Sequence, residues 1–407
     1  MKNNDKSLFY IIVGCMFLEE DEEYIQKNYI KKSTSVSNNV FERKLYSGFI
    51  NSKSKHDFVY VSAPSVGWFP KNCKKIRIKG FTKNSNYHPI NYSTTYLGST
   101  FSKARALKNE ISKIIKTIDL DKYKICLVSC ELHLPYLKCA EYLKRKYPNS
   151  VTVQFVPDLP EFNNRSSGRI YNYLKSINCK KIKQLRTKYI DKYVLFSKPM
   201  VNALGLAKHN NWIVNEGIAS DNSCFEKLES DGLKHVVFIG KLDKRNGVDL
   251  IKGTAALFES RKDIVFDFYG IQASDGISDE LLLNRPNICV HGFVKPSKIL
   301  SILNSSDVLL SPRYPNEEYT KYSFPSKIFD YLSSHKPIVS FKLDCYPQEL
   351  NDILIYPKDI SVDSLAESIN HALSLKTYNT KPVDDFLLNY SKEKVVKKVM
   401  ELAEKKI

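Results

Sequence analysis

The chain has 407 residues, 43% hydrophobic and 12% aromatic, which excludes a disordered polymer and exceeds what one typical core holds, so two domains are expected. A formal net charge of +18 points to phosphate-bearing partners, whether nucleotides, nucleic acid or an anionic membrane. Nine scattered cysteines form no Cys-x-x-Cys and no Cys/His spacing of the zinc type, which predicts reduced, buried thiols in a cytosolic protein and no structural metal.

Near its start the sequence carries "LFYIIVGCMFL". "IVGC" resembles a lipoprotein cleavage box, but the run before Cys15 is short for a signal peptide. The plainer expectation is a buried strand over 8–13 that turns at Gly14 into a loop. No other apolar run approaches the ~20 residues needed to span a bilayer. Further strands are expected at 57–63, 124–129, 151–156 and 192–197, with a helix over 134–147. "CELHLPYL" places His133 just after a strand, and "QFVPDLPEF" does the same for Asp158 and Glu161. Such groups at a strand's carboxyl end can hydrogen-bond a ligand, although a satisfied structural histidine explains His133 as well.

"RIYNYLKSINCKKIKQLRTKYIDKY" (169–193) reads as a basic amphipathic helix. Leu174, Ile177, Ile182, Leu185 and Tyr189 line one face, and Lys175, Lys180, Lys181, Lys183, Arg186 and Lys188 fill much of the rest. It is either a surface helix or a docking element for anionic lipid. A polar stretch at 215–235 marks a linker, with Glu216 either a linker charge or a group at a binding rim.

Beyond it, strands are expected at 235–240, 264–270, 287–293, 307–312, 336–341 and 352–357, and helices near 247–259, 296–305, 325–334 and 362–374. Strands alternating with helices predict an α/β protein with doubly wound parallel sheets, whose ligands bind beyond the strands' carboxyl ends. "FIGKLDKRNGVDLI" joins a strand to a helix, with Gly240 allowing close backbone approach and Lys241, Lys244 and Arg245 supplying charge. This is a phosphate site or a charged surface turn. The loops "YGIQ" with Gly270, "HGFV" with His291, Gly292 and Phe293, and "SPRYPNEEYTKYSFPSK" are expected at the same sheet edge. In "SFPSKIFDYL", Pro325 suits a first helical turn and Ile328, Phe329 and Leu332 an apolar face, while Ser323, Ser326, Lys327 and Asp330 stay polar.

In this order and spacing, "GKLDKRNGVDL", "HGFV", "SSDVLLSPR" and "SFPSKIFDYLSSHKPIVS" resemble retaining family-4 glycosyltransferases of bacterial capsule, O-antigen and exopolysaccharide synthesis. The resemblance covers roughly 235–375 well and the first half loosely. It implies the GT-B fold: an acceptor-binding Rossmann-like domain over 1–222 facing, across a cleft, a donor-binding one over 223–385. A helix over 386–407 would cross back onto the first domain. Lys241 and Arg245 would hold the donor's diphosphate and, with His133 and Asp158, form the catalytic set. Gly14, Gly240, Gly270, His291, Gly292, Phe293 and the 317–330 segment would surround the donor. That segment supplies Glu317, Glu318, Tyr322, Ser323, Phe324, Pro325, Ser326, Lys327 and Asp330. His133, Asp158, Glu161 and Glu216 would face the acceptor.

Two positions depart from the family's pattern. Tyr322 stands at the first member of its acidic pair, with Glu317 or Glu318 as substitutes, and Asn246 stands where a lysine is usual. The implied reaction transfers a sugar from a nucleotide diphosphate sugar to a glycan or a polyprenyl-diphosphate-linked glycan, in the cytoplasm or at the inner membrane face. No cofactor, metal or nucleic acid is expected. The alternatives are a non-catalytic polyanion binder and another sugar-nucleotide enzyme such as an epimerase.

Overall fold

The computed structural model describes residues 6–30, 37–52, 57–67, 69, 72–77, 81–82, 84–95, 98–162, 169–220, 231–271, 285–294 and 296–405. The chain divides into two compact units, Met1–Ile218 with Lys392–Ile407, and Ala219–Ser391.

The first unit is built on seven strands: β1 (Ser7–Gly14), β2 (Phe58–Ser62), β4 (Tyr87–Pro89), β6 (Tyr123–Ser129), β7 (Val151–Val156), β8 (Lys192–Leu195) and β9 (Trp212–Val214). They pair in the order β4-β2-β1-β6-β7-β8-β9, every pair parallel, while β3 (Lys75–Ile76) and β5 (Tyr92–Ser93) form a separate antiparallel ribbon. Every residue of β2, β7 and β8 is buried. That is why these strands read as continuous apolar runs: a parallel sheet covered on both faces has no solvent side to mark with alternation.

The terminal helix Lys392–Glu404 belongs to this unit and buries Val395, Val396, Val399 and Leu402. It packs on the helix Ser37–Asn51 at Gly48, where a β-carbon would lie 2.7 Å from the Lys392 carbonyl oxygen. Full burial of each such valine or leucine contributes about 1.5–3 kcal/mol.

The second unit holds β10 (Lys234–Ile239), β11 (Ile264–Tyr269), β12 (Ile288–Gly292), β13 (Val308–Ser311) and β14 (Ile338–Ser340), in the parallel order β12-β11-β10-β13-β14. Alternate residues serve opposite layers. Val236, Phe238, Val308 and Leu310 meet Leu242, Val248, Ile251, Phe258, Leu365 and Ile369. Val237 and Leu309 meet Ile328, Phe329, Leu332, Leu350 and Phe386 on the other face. Period-two alternation with both faces apolar makes a doubly wound sheet.

Two expectations need correction. The run 352–357 is not a strand: the bridge Val339–Ile355 is its one ladder contact among the described residues, and Ile353 and Leu354 enter the core from a turn of 3-10 helix, Gln348–Asp352. The helix expected from Pro325 begins at Lys327, because Pro325 only supplies the carbonyl that accepts from Ile328 N–H at 2.9 Å. The outermost short strands, β3, β4, β5 and β9, carry too few apolar residues to have been anticipated.

Candidate active site

In the second unit the strand order turns at β10, with β11 and β12 on one side and β13 and β14 on the other. An open α/β sheet binds ligands at the carboxyl ends flanking such a switch. Backbones pack tightly there. Gly240 N–H donates to the Tyr269 carbonyl at 2.8 Å, and a β-carbon on Gly270 would overlap the Gly240 carbonyl. Tyr331, from the helix Lys327–Ser333, braces the two central strands: its hydroxyl accepts from Ile239 N–H at 2.9 Å and donates to the Leu310 carbonyl at 3.2 Å.

One helical turn earlier on the same face is Lys327. Its Nζ lies 4.0 Å from the centre of the Phe238 ring and 5.7 Å from that of Tyr331, near Gly240. Among the described residues the ammonium, shielded from solvent, has no hydrogen-bond acceptor, and the buried Ser311 hydroxyl at the end of β13 has no partner either. Burial, and then the neighbouring Arg313 charge, push the lysine's pKa well below the ordinary value, with Asp243 opposing. Donors thus gather at a strand edge with more positive than negative charge. An anion beside Lys327 would supply the acceptor its ammonium lacks.

The loop after β10 is rigid. Asp243 is buried and caps the 3-10 turn Lys244–Asn246, accepting from Asn246 N–H at 3.1 Å and its amide at 2.8 Å. Asn246 in turn accepts from Arg313 Nε at 3.2 Å, while Arg313 Nη1 donates to the Ser323 carbonyl at 3.4 Å. The asparagine at the unusual position therefore fixes Arg313, a cation the sequence reading passed over although it stands in "SPR" directly after a strand. Gly247, at φ 74°, lets the chain pass against the Pro312 carbonyl.

The expected donor residues fall into distinct places. Lys241 is exposed and 3.6 Å from Asp243, and the Arg245 guanidinium lies 4.0 Å over the Tyr319 ring, whose hydroxyl donates to the Arg245 carbonyl at 2.8 Å. Glu317, Glu318 and Ser326 are exposed, and Tyr322 is half-buried just after a 3-10 turn. Asp330 accepts from the Ser220 hydroxyl at 2.8 Å. Phe324 and Pro325 are corrections: both are buried, the Phe324 ring packing with Phe329 and Tyr346, so these side chains build the core beneath the loop. His291 sits at the exposed edge strand with Nε2 2.6 Å from Asp267, its ring stacked 4.3 Å from Tyr269. Beyond it Gly292 ends β12 and Phe293 is exposed.

In the first unit a second polar cluster occupies the matching switch, between β1 and β6. Gly14 ends β1, and any side chain there would strike the Glu42 carboxylate and the Tyr60 hydroxyl. Glu42 Oε2 accepts from Cys15 N–H at 2.7 Å and Met16 N–H at 2.8 Å, so the loop expected to face a diphosphate is closed by the chain's own carboxylate. Burial, and then the Glu131 charge, raise the Glu42 pKa to about 7. His133 occupies the N-cap position of the helix Leu134–Lys146, and its Nδ1 lies 3.0 Å from Glu131. Burial lowers its pKa, but the Glu131 charge and hydrogen bond outweigh that and the net shift is upward, with Asp158 adding in the same direction. Glu161 is exposed on a 3-10 turn, where its carbonyl accepts from Lys175. Glu216 is buried, and its charge acts on Lys398 of the terminal helix. Glu42 and Glu131 were not singled out in the sequence; "CELH" places Glu131 two residues before His133.

The helix Arg169–Tyr189 buries Ile182, Leu185, Arg186 and Tyr189, but leaves Tyr173, Leu174 and Ile177 exposed. Only its second half has the buried apolar face that the sequence suggested for the whole.

Residues 220–384 match the family described as glycosyl transferases group 1. A protein named for teichuronic acid biosynthesis, the glycosyltransferase TuaH of Bacillus subtilis strain 168, is 29% identical over 107 residues, and the match spans 26% of each chain. Solved structures align over nearly the whole length. Sucrose-phosphate synthase from Thermosynechococcus elongatus has a TM-score of 0.66 at 12% identity, covering 98% of each chain. WaaG, a glycosyltransferase involved in lipopolysaccharide biosynthesis, has a TM-score of 0.60 at 12% identity, covering 97% of this chain and 99% of its own. The chain has the GT-B fold, and residues 220–384, within its second unit, are similar to glycosyl transferases group 1.

Proposed function

We propose that the protein is a glycosyltransferase that moves a sugar from a nucleotide diphosphate sugar onto a hydroxyl of a glycan or lipid-linked glycan, in bacterial surface polysaccharide synthesis. The observation that carries this reading is the buried Lys327 ammonium, without a hydrogen-bond acceptor, beside Arg313 at the β10/β13 switch. A diphosphate supplies the missing acceptors. The group 1 domain and the teichuronic acid and lipopolysaccharide relatives support the substrate class.

In the reaction the bond from the anomeric carbon to the diphosphate oxygen breaks, and one from that carbon to the acceptor oxygen forms. The acceptor's proton leaves on the departing phosphate. Lys327 and Arg313 stabilise the charge that develops on the leaving group, in a water-poor place where fixed charges act strongly. Retention of configuration and transfer without a catalytic metal follow from the family resemblance. In this reading Asp330, which also accepts from the Ser220 hydroxyl, accepts from a donor hydroxyl.

Lys241→Ala and Arg245→Ala are expected to lower turnover about tenfold or less, without unfolding, because both side chains are exposed. Steady-state rates with nucleotide sugars check this, and full activity in both variants would remove them from the diphosphate site. A thermal-shift screen of UDP-, GDP- and dTDP-sugars identifies the donor, since a ligand at 100 times its Kd adds about 2.7 kcal/mol of stability. Analysis of the products separates transfer from epimerisation, which needs no acceptor.

We also propose that the first unit works at the inner face of the cytoplasmic membrane. No helix among the described residues is long and apolar enough to cross one. Tyr173, Leu174 and Ile177 are 67%, 41% and 44% exposed on a helix that also carries Lys175, Lys180, Lys181 and Lys183. That combination suits an anionic interface, each basic residue adding roughly 1 kcal/mol. The protein is expected to float with vesicles containing anionic lipid at low salt, and the Leu174→Glu/Ile177→Glu variant to stay behind. Flotation indifferent to lipid charge and salt would contradict the assignment.

A further inference from the structure

We propose that Cys15, Glu42 and Glu131 form a binding site for one zinc-like divalent cation at the carboxyl edge of the first sheet. The three residues come from distant segments, the loop after β1, the helix Ser37–Asn51 and the loop after β6, which is why no sequence spacing announces them. All three are buried, at 4%, 1% and 7% exposure, and one ligand atom from each lies within 4.8 Å of the others. Cys15 Sγ is 3.5 Å from Glu42 Oε1 and 3.8 Å from Glu131 Oε1. A tetrahedral zinc with bonds of about 2.3 Å to sulfur and 2.0–2.2 Å to oxygen separates adjacent ligands by roughly 3.5 Å, so little movement is needed.

The surroundings match what metal-binding carboxylates require. The other oxygen of each carboxylate is already oriented, Glu42 Oε2 by the Cys15 and Met16 amides and Tyr60, and Glu131 Oε2 by His133 at 3.0 Å. A separate observation points to a fourth ligand. The Tyr136 hydroxyl belongs to a residue 1% exposed and has no hydrogen-bond partner among the described residues, and the charges of Cys15, Glu131 and Glu42 act on it. A water bound to the cation would give that hydroxyl its partner. Charge also balances. Lys103 is the cation on which the same three groups act, and its ammonium with a divalent ion cancels one thiolate and two carboxylates. A mixed sulfur–oxygen set favours zinc over magnesium or calcium, which prefer oxygen alone. This inference concerns the first unit only and is independent of glycosyl transfer.

Chelator-stripped full-length protein is titrated with Zn²⁺ in equilibrium dialysis and with Co²⁺ in absorption, with folding followed by far-UV circular dichroism. One tight ion per chain is expected, with a thiolate-to-cobalt charge-transfer band. Cys15→Ser should abolish the band, and Glu131→Gln should weaken Zn²⁺ binding at least about tenfold. Glu131→Gln decides the matter alone if Cys15→Ser fails to fold. No stoichiometric binding at micromolar Zn²⁺, or binding and spectra unchanged in the folded variants, would overturn the assignment.

Discussion

Lys327→Met is expected to lower kcat/KM for sugar transfer by about 10²–10³-fold while leaving the second unit as stable as the wild type, or more stable. The two effects run in opposite directions for one physical reason. The ammonium is buried over Phe238 with no acceptor, beside Arg313, so it destabilises the unliganded fold. Replacing a poorly compensated buried charge by an apolar side chain of similar length is neutral or stabilising, by about 1–4 kcal/mol in comparable cases. The same charge is what a diphosphate leaving group needs.

The pH dependence of stability gives a second readout. The folded protein holds Lys327 well below the ordinary lysine value of 10.5, so between the two pKa values the unfolded chain binds the extra proton. Wherever the unfolded state binds more protons, stability rises with pH. Wild-type protein should therefore gain stability as pH climbs towards 10.5, and Lys327→Met should lose that component. Denaturant midpoints across that range, with initial rates at neutral pH, check both. A variant that is active and shows the wild-type pH slope would refute the role.

Gly270→Ala is expected to destabilise the second unit by about 3–5 kcal/mol and to abolish activity, whereas Gly292→Ala should cost only about 1 kcal/mol. Both glycines end strands of the same sheet and both have positive φ, 153° and 72°. They differ in surroundings. A β-carbon at Gly270 would overlap the Gly240 carbonyl and lie 2.7 Å from its carbon, whereas one at Gly292 meets nothing within 4 Å. Gly240 N–H also donates to the Tyr269 carbonyl, and Gly240 lies against Lys327, so forcing the strand ends apart displaces the surroundings of the Lys327 ammonium. Thermal unfolding should separate the variants by roughly 10 °C. Equal midpoints would show that the strand ends tolerate separation.

The central strands of both sheets were legible because buried parallel strands leave unbroken apolar runs, as in "FYIIV" and "VLLS", whereas the short edge strands β4 and β9 were not. The run "DILIYP" is equally apolar, yet it forms one bridge because its residues reach the core through a 3-10 turn, and periodicity cannot separate those outcomes. In the second unit, the glycines and charged loops of the sequence fall at the carboxyl ends of the strands. The sequence could not say which cations are buried. Lys241 and Arg245 stand out in the sequence as a phosphate pair; in the fold both are exposed, Lys241 near Asp243 and Arg245 over Tyr319. Lys327, ambiguous in sequence, is the side chain turned under the strand ends, and Arg313 is aimed by an asparagine 67 positions away. The first unit's cluster was hidden for the same reason: Cys15, Glu42 and Glu131 meet only once β1 and β6 pair.

The central claim, that the β10/β13 switch is a diphosphate site, is tested most directly by isothermal titration of UDP, GDP and dTDP into wild-type protein and Lys327→Met. The account predicts that the wild type binds at least one of the three with one site per chain, and that Lys327→Met, folded to the same extent, binds it at least about 100-fold more weakly. Binding of equal strength in the two proteins, or no binding of any nucleoside diphosphate to the wild type, would contradict it.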